Sequence, residues 1–158
     1  MKIANMHTCS FLLAFCFPSI VWATDAEEIF LRIERSKQTD DMDLRVTSLG
    51  VFGMNKGMIG HVELSYIESI GNGDGLALDF GGGVSFRAGV TFFLGAGFLL
   101  GYNGDNSDVI SAYYPEAGIV LPITKTFSLV ATGKRYYKLY GNSEDEDVVM
   151  FGLLFGSR

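Results

Sequence analysis

The feature that most constrains how this chain folds is a two-residue alternation of side chains through residues 76–103. In LALDFGGGVSFRA, at residues 76–88, one alternate set is apolar and the other is polar or very small. In VTFFLGAGFLLGYN, at residues 90–103, the alternation collects Gly95, Gly97 and Gly101 on one face. A period of two belongs to β-strands, because a helix would scatter these glycines around its surface. The pattern predicts two long strands, each with an apolar face.

A helical interpretation of the second stretch rests on the spacing Gly97-x-x-x-Gly101, which favours close contact between membrane helices. However, the uncharged segment is shorter than the roughly 20 residues that a helix needs to cross a bilayer. We therefore prefer the strand interpretation.

Eight segments have this strand character, and together they predict an all-β fold. They are Glu28–Lys37, Leu44–Met54, Met58–Ser69, Leu76–Ala88, Val90–Asn103, Ile110–Ile123, Phe127–Tyr140 and Val148–Gly156. Most reach the roughly 9–11 residues of a tilted membrane strand. Because an even number of antiparallel strands closes without a free edge, the sequence predicts an eight-stranded antiparallel up-and-down transmembrane β-barrel. Pro115 is expected to interrupt the sixth strand.

The connections between these segments alternate in length and charge. KQTDDMD, SIGNGDG, NGDNSDV and GNSEDEDV are long and acidic, whereas the links at residues 54–57, 88–89 and 122–126 are short. Outer-membrane barrels have long extracellular loops and short periplasmic turns. Tyrosine favours the interface between membrane and water, and every tyrosine lies near the long-loop end of its predicted strand. The predicted aromatic girdle comprises Tyr66, Tyr102, Tyr113, Tyr114, Tyr136, Tyr137 and Tyr140.

The N-terminus has the pattern of a secretory signal peptide at residues 1–23. Lys2 precedes an apolar segment, and Val21-Trp22-Ala23 ends in a small residue that signal peptidase accepts. Residues 24–158 would then form one barrel domain without cysteine, since Cys9 and Cys16 leave with the signal. This domain carries 11 basic and 18 acidic residues, a net charge of −7. An acidic exported chain is not expected to bind nucleic acid.

The positions predicted to face inward on these strands include charged residues, which would face one another inside the barrel. The predicted lumen network comprises Arg32, Glu34, Arg45, His61, Glu63, Asp79, Arg87, Glu116 and Lys134. Buried charges require partners, and four acids here meet four Arg or Lys residues and one histidine. The balance predicts a lumen plugged by ion pairs. No cofactor or metal site is predicted.

The mature chain resembles small bacterial outer-membrane β-barrel proteins of the eight-stranded OmpA/OmpX-like architecture. The rhythm of GGGVSFRAGVTFFLGAGFLLGYNG through YYPEAGIVLPITKTFSLVATGKRYYKLYG is similar to that of YfaZ-like barrels. The resemblance implies an outer-membrane location and a monomer surrounded by outer-membrane lipid and lipopolysaccharide. It also implies assembly by the barrel-assembly machinery. Such barrels often end in an aromatic residue, whereas Gly156-Ser157-Arg158 follow Phe155 here.

We expect a structural or surface-interaction protein with acidic extracellular loops, rather than an enzyme. One alternative is a lipid A-modifying hydrolase that resembles the PagL type, with His61, Glu63 and Ser65 of GHVELSY as catalytic candidates. That family has a short His-x-Ser arrangement, whereas His61 and Ser65 are four residues apart, roughly 13 Å along a strand. Another alternative is a soluble periplasmic, lipocalin-like ligand binder, which would have apolar residues inside and polar residues outside.

Overall fold

The computed structural model describes residues 28–37, 44–69, 73–104, 109–138 and 145–157. The predicted signal peptide, Tyr140 and most of the acidic connections lie outside these ranges. The strands are β1 (Glu28–Ser36), β2 (Leu44–Asn55), β3 (Met58–Ser69), β4 (Gly75–Ala88), β5 (Val90–Asn103), β6 (Val109–Pro122), β7 (Phe127–Lys138) and β8 (Glu146–Ser157). All eight predicted strands are present, and each boundary lies within two residues of its prediction.

The strands form a closed barrel in which each strand pairs antiparallel with the next and β1 pairs with β8. The register fixes the stagger of this barrel. A row of residues that are paired from strand to strand begins at Arg35 on β1, passes through β2 to β5, and reaches β6 at Val109. In the other direction, through β8 and β7, it reaches β6 at Ile119, ten residues from Val109. With ordinary strand spacings this shear tilts the strands by about 40° from the barrel axis.

The short connections all lie at one end of the barrel, which we call the short-turn rim. Lys56 and Gly57 join β2 to β3 with φ angles of 44° and 83°. Two positive φ angles give the type I′ turn that suits a two-residue hairpin. Gly89, with φ of 78°, joins β4 to β5, and residues 123–126 join β6 to β7. The opposite end is the long-loop rim.

The inner and outer walls of the barrel differ sharply in chemistry. Outward-facing side chains are mostly apolar and exposed, including Leu78, Leu94, Ile119 and Phe151. Inward-facing side chains include apolar residues and a set of buried charges. Among the described residues, no helix has the length and apolarity needed to cross a membrane.

Candidate functional site

A cluster of charged side chains occupies the middle of the lumen, and we call it the lumen network. It contains seven of the nine predicted residues, each at most 3% exposed: Arg32, Glu34, His61, Glu63, Asp79, Glu116 and Lys134. They project from β1, β3, β4, β6 and β7. They come together because alternate residues of every strand face the lumen.

Two apolar clusters enclose the lumen network along the barrel axis. The cluster nearer the short-turn rim contains Phe30, Phe52, Met54, Ile59, Phe93, Val120, Val130 and Leu154. The cluster nearer the long-loop rim contains Val46, Ile67, Ala77, Leu99, Ala112, Tyr114, Tyr136, Val148 and Met150. The order is visible on β3, where Ile59 precedes His61 and Glu63, and Ile67 follows them. The network is therefore covered by apolar side chains on both sides.

The contacts within the network join strands that are not neighbours in the sheet. Arg32 on β1 donates a hydrogen bond to Glu63 on β3. The Nζ atom of Lys134 on β7 lies 2.7 Å from Oδ2 of Asp79 on β4. Thr132 on β7 donates to Glu34 on β1 at 2.6 Å. These contacts pass through the lumen and link strands that are separated by one or two other strands in the barrel.

The two buried cations also lie over aromatic rings. The Arg32 guanidinium carbon is 5.0 Å from the centre of the Phe52 ring. Lys134 Nζ is 4.6 Å from the centre of the Tyr114 ring. Both distances lie within the range of cation–π attraction, which is strongest where the cation is removed from water.

His61 lies at the centre of the lumen network, between two carboxylates. Its Nε2 atom is 3.5 Å from Asp79 Oδ1, and its Nδ1 atom is 3.5 Å from Glu116 Oε1. The Tyr114 hydroxyl lies 3.1 Å from His61 Nε2 and donates to Asp79. A methyl group on Gly81 would lie 2.2 Å from the His61 ring, so the absence of a side chain there makes room for the imidazole.

The network contains more acids than permanent cations. Glu34, Glu63, Asp79 and Glu116 face Arg32 and Lys134. Neither carboxylate oxygen of Glu116 accepts a hydrogen bond from any residue that the structure describes. The acidic excess is therefore concentrated around Glu116 and the adjacent His61.

The donor atoms of His61, Glu63 and Asp79 lie within 4.8 Å of one another, a spacing that suits a metal ion. However, Arg32 already contacts Glu63, and Lys134 contacts Asp79. A metal ion would have to compete with these two cations for the carboxylates. The arrangement fits an ion-pair network better than a metal centre.

Two residues predicted for the network lie elsewhere. Arg45 faces outward, because its neighbour Val46 is fully buried in the lumen, and its guanidinium contacts Glu68. The prediction that Arg45 faces the lumen was therefore wrong, because the inward positions of β2 are one residue away from those assumed. Arg87 has the inward phase but lies at the short-turn rim, where its half-exposed side chain bonds Glu28 at 2.7 and 2.8 Å.

The predicted aromatic girdle also needs correction at two positions. Tyr66, Tyr102 and Tyr113 are exposed on the outer wall, and Tyr137 stacks on Tyr113 with ring centres 4.9 Å apart. In contrast, Tyr114 and Tyr136 are buried inside the barrel. Adjacent residues of a strand point to opposite faces, so the pairs Tyr113–Tyr114 and Tyr136–Tyr137 could not lie wholly on one wall. The inward assignments of Glu116 and Lys134 already implied this, since they share the phase of Tyr114 and Tyr136.

The three hydrolase candidates face the lumen but do not form a nucleophile and base pair. Ser65 Oγ lies 2.7 Å from Ser48 Oγ, and His61 contacts Tyr114 and acids instead. All three candidates are at most 1% exposed, so a lipid substrate has no direct access to them. No observation favours the hydrolase interpretation.

Comparison with known proteins supports the fold. No protein-family model matches the chain, and no curated protein matches it. Among solved structures, it is similar to the N-terminal β-barrel domain of Pseudomonas aeruginosa OprF, with a TM-score of 0.62 and 15% identity over 83% of this chain and 98% of that domain. The de novo designed TMB2.3 matches with a TM-score of 0.49 and 17% identity over 83% of this chain and 94% of that protein. The chain therefore shares the closed eight-stranded barrel fold of the OprF domain.

Proposed function

We propose that this chain is an integral outer-membrane β-barrel with a structural or surface-interaction role. The observation that carries the proposal is the distribution of apolar and charged side chains. Large apolar residues such as Leu94 and Phe86 are more than 60% exposed on the outer wall, while Arg32 and Asp79 are fully buried inside. A protein dissolved in water buries the first kind of side chain and exposes the second. Lipid around the barrel accounts for both at once.

A plugged lumen is part of this proposal. The contacts from β1 to β3 and from β4 to β7 cross the interior, and apolar clusters lie above and below them. Eight strands leave an interior that side chains can fill. These features support a scaffold or surface-exposed anchor rather than an open pore.

The location and partners follow from the same proposal. Residues 1–23 would direct export and be cleaved, and the acidic connections at the long-loop rim would face the outside. Outer-membrane lipid and lipopolysaccharide would surround the barrel as a monomer, and the barrel-assembly machinery would insert it. The acidic extracellular loops would then be the part of the chain available to a surface partner.

Leu94→Arg tests whether the outer wall faces lipid. Leu94 is 64% exposed near the middle of the apolar wall, whereas Ile123 is 52% exposed at the short-turn rim. In a bilayer, arginine near the midplane costs about 2–4 kcal/mol but about 0–1 kcal/mol near the interface. We therefore expect Leu94→Arg to lower the free energy of unfolding in lipid vesicles much more than the control Ile123→Arg.

Fractionation completes the test. The chain expressed with its N-terminal segment should enter the outer-membrane fraction, begin at Thr24 by mass spectrometry, and migrate faster on SDS gels before boiling than after. A soluble periplasmic chain without a heat-dependent shift, in which both arginine variants are equally stable, would overturn the proposal.

A further inference from the structure

A pair of arginines lies on the outer wall close to the long-loop rim. Arg35 on β1 and Arg45 on β2 both contact Glu68 on β3, with nitrogen–oxygen distances of 3.7 and 3.4 Å. The Arg35 side chain is 61% exposed and the Arg45 side chain is 28% exposed. Lys37, which directly follows β1, is also exposed. We call Arg35, Arg45 and Glu68 the rim cluster.

The barrel geometry places the rim cluster relative to the apolar wall. Arg35 shares its paired row with Tyr66 on β3 and Leu76 on β4. Because the shear is ten residues over eight strands, the row of paired residues climbs toward the long-loop rim by about 1.25 residue lengths at each successive strand. Leu76 therefore lies about 9 Å nearer the long-loop rim than Arg35. The apolar wall continues above the level of Arg35 on the far side of the barrel.

The Arg35 side chain compensates for the low position of its backbone, which lies below the upper edge of the apolar wall. Its guanidinium reaches Glu68, which lies two residues beyond Tyr66 toward the long-loop rim. Long basic side chains behave in this way in membranes, with the stem along apolar surface and the charge at the interface. Both guanidiniums of the rim cluster are thus brought to the upper edge of the apolar wall, where lipid headgroups would begin.

The rim cluster carries an excess of positive charge. In the part of the chain that the structure describes, Glu68 is the acidic partner of both arginines. Both contacts exceed 3.2 Å, so neither guanidinium is held by a tight bidentate pair. Ile33, Leu49 and Phe151 lie on the outer wall just below and are exposed. Basic side chains above apolar ones match a lipid with a phosphorylated headgroup and acyl chains.

We propose that Arg35 and Arg45 bind a phosphate group of an outer-leaflet glycolipid, such as the lipid A part of lipopolysaccharide. The inference rests on the proposed function, because it requires the long-loop rim to face the outer leaflet. Guanidinium groups match phosphate oxygens with paired charge-assisted hydrogen bonds. The acyl chains of the glycolipid pack against Ile33, Leu49 and Phe151 on adjacent strands.

Native mass spectrometry of the detergent-purified barrel tests this site. The wild-type chain should retain phosphorylated glycolipid, and Arg35→Gln with Arg45→Gln should reduce the retained fraction by roughly tenfold. The matched control is Lys56→Gln with Lys125→Gln, which removes two positive charges at the short-turn rim and should retain lipid as wild type does. Equal retention by both double variants, or no phosphorylated lipid on wild type, would overturn the inference.

Two further arms make the result specific. Glu68→Gln removes the carboxylate that competes for both arginines, so it should increase lipid retention and provides a test that does not depend on the arginine variants folding. Added lipid A should displace bound lipid more effectively than phosphatidylglycerol, and equal displacement would overturn the assignment to a glycolipid. If the Arg35→Gln and Arg45→Gln double variant keeps its outer-membrane location and heat-dependent gel shift but retains lipid normally, the result contradicts this inference alone. Loss of those properties in wild type contradicts the proposed function.

Discussion

The role of a single residue in this barrel depends first on whether its position is odd or even in its strand. Arg45 and Val46 are adjacent, yet one contacts Glu68 on the outer wall and the other is fully buried. The same one-residue difference separates Tyr113 outside from Tyr114 inside. Because the side-chain period is two, an error of one position in the assigned phase places a residue on the opposite face of the barrel wall. For Arg45 that change of face turns a member of the lumen network into a member of the rim cluster.

Lys134→Met should destabilise the barrel strongly. Lys134 contacts Asp79, and its removal would leave the buried acid beside the Tyr114 hydroxyl and the His61 ring, without its permanent cation. Removal of one partner from a buried ion pair costs about 3–5 kcal/mol, which urea unfolding in detergent micelles can measure. The matched control is Asp147→Asn, which removes an exposed partner of the half-exposed Arg135 and should cost less than about 1 kcal/mol. Similar costs for both variants would contradict a stabilising lumen network.

At the scale of the strand, β4 and β5 are adapted to the interior by small residues on their inner faces. Gly81 pairs with Gly97, and Gly83 pairs with Gly95. A methyl group on Gly97 would lie 2.4 Å from both the Phe80 carbonyl oxygen and the Tyr114 hydroxyl. The inner glycines therefore provide the space that His61 and Tyr114 occupy.

Gly97→Ala should cost about 1–3 kcal/mol, because the added methyl group forces the β4–β5 backbone or Tyr114 to move. Gly82→Ala is the control, since its methyl group would face outward with its nearest neighbour, the Ile59 carbonyl oxygen, at 3.4 Å. Chemical unfolding of the two variants in micelles gives the comparison. A Gly97→Ala barrel as stable as the Gly82→Ala barrel would show that the interior has room to spare.

The existence and extent of the strands could be predicted from the sequence, because most of these strands of 9 to 14 residues alternate in side-chain character along their length, although β2 and β8 alternate less cleanly. The effect of Pro115 was predicted less well. β6 continues through Pro115, but its pairing with β7 passes from Tyr113–Tyr137 to Glu116–Lys134 without a pair between them. Proline has no N–H to donate, so it interrupts the hydrogen-bonded ladder without ending the strand.

At the scale of the whole molecule, the shear and the cross-lumen partners could not be predicted. Alternation fixes which face of a strand is inward, but it is unchanged when a strand slides by two residues. The pairing of Arg32 with Glu63, and of Lys134 with Asp79, depends on that register. The sequence therefore predicted most members of the lumen network and none of its specific contacts.

Cysteine cross-linking can test the register at the closure of the barrel. Leu31 pairs with Phe155 across β1 and β8 on the outer wall, and residues 24–158 contain no cysteine. Leu31→Cys with Phe155→Cys should form a disulfide on oxidation, because paired Cα atoms lie within bonding range. Leu31→Cys with Phe151→Cys displaces the partner by four residues, roughly 13 Å, and should not. Mass spectrometry can measure the loss of two hydrogen atoms that accompanies disulfide formation. Cross-linking of the Leu31–Phe151 pair without cross-linking of the Leu31–Phe155 pair would exclude a shear of ten.

The outer wall has unequal apolar height around its circumference. On β4 it extends from Leu76 to Phe86, about 25 Å along the barrel axis, whereas on β1 the apolar residues end at Ile33, below Arg35. A bilayer of even thickness cannot match both sides at once. In the proposed membrane setting, the part of this difference that the Arg35 side chain does not span requires a thinner membrane beside β1 and β2, or a lean of the barrel that brings the two edges level. Either response would make the surrounding lipid asymmetric, so a membrane-embedded barrel would distinguish one direction in the membrane plane from the others although its backbone is nearly cylindrical.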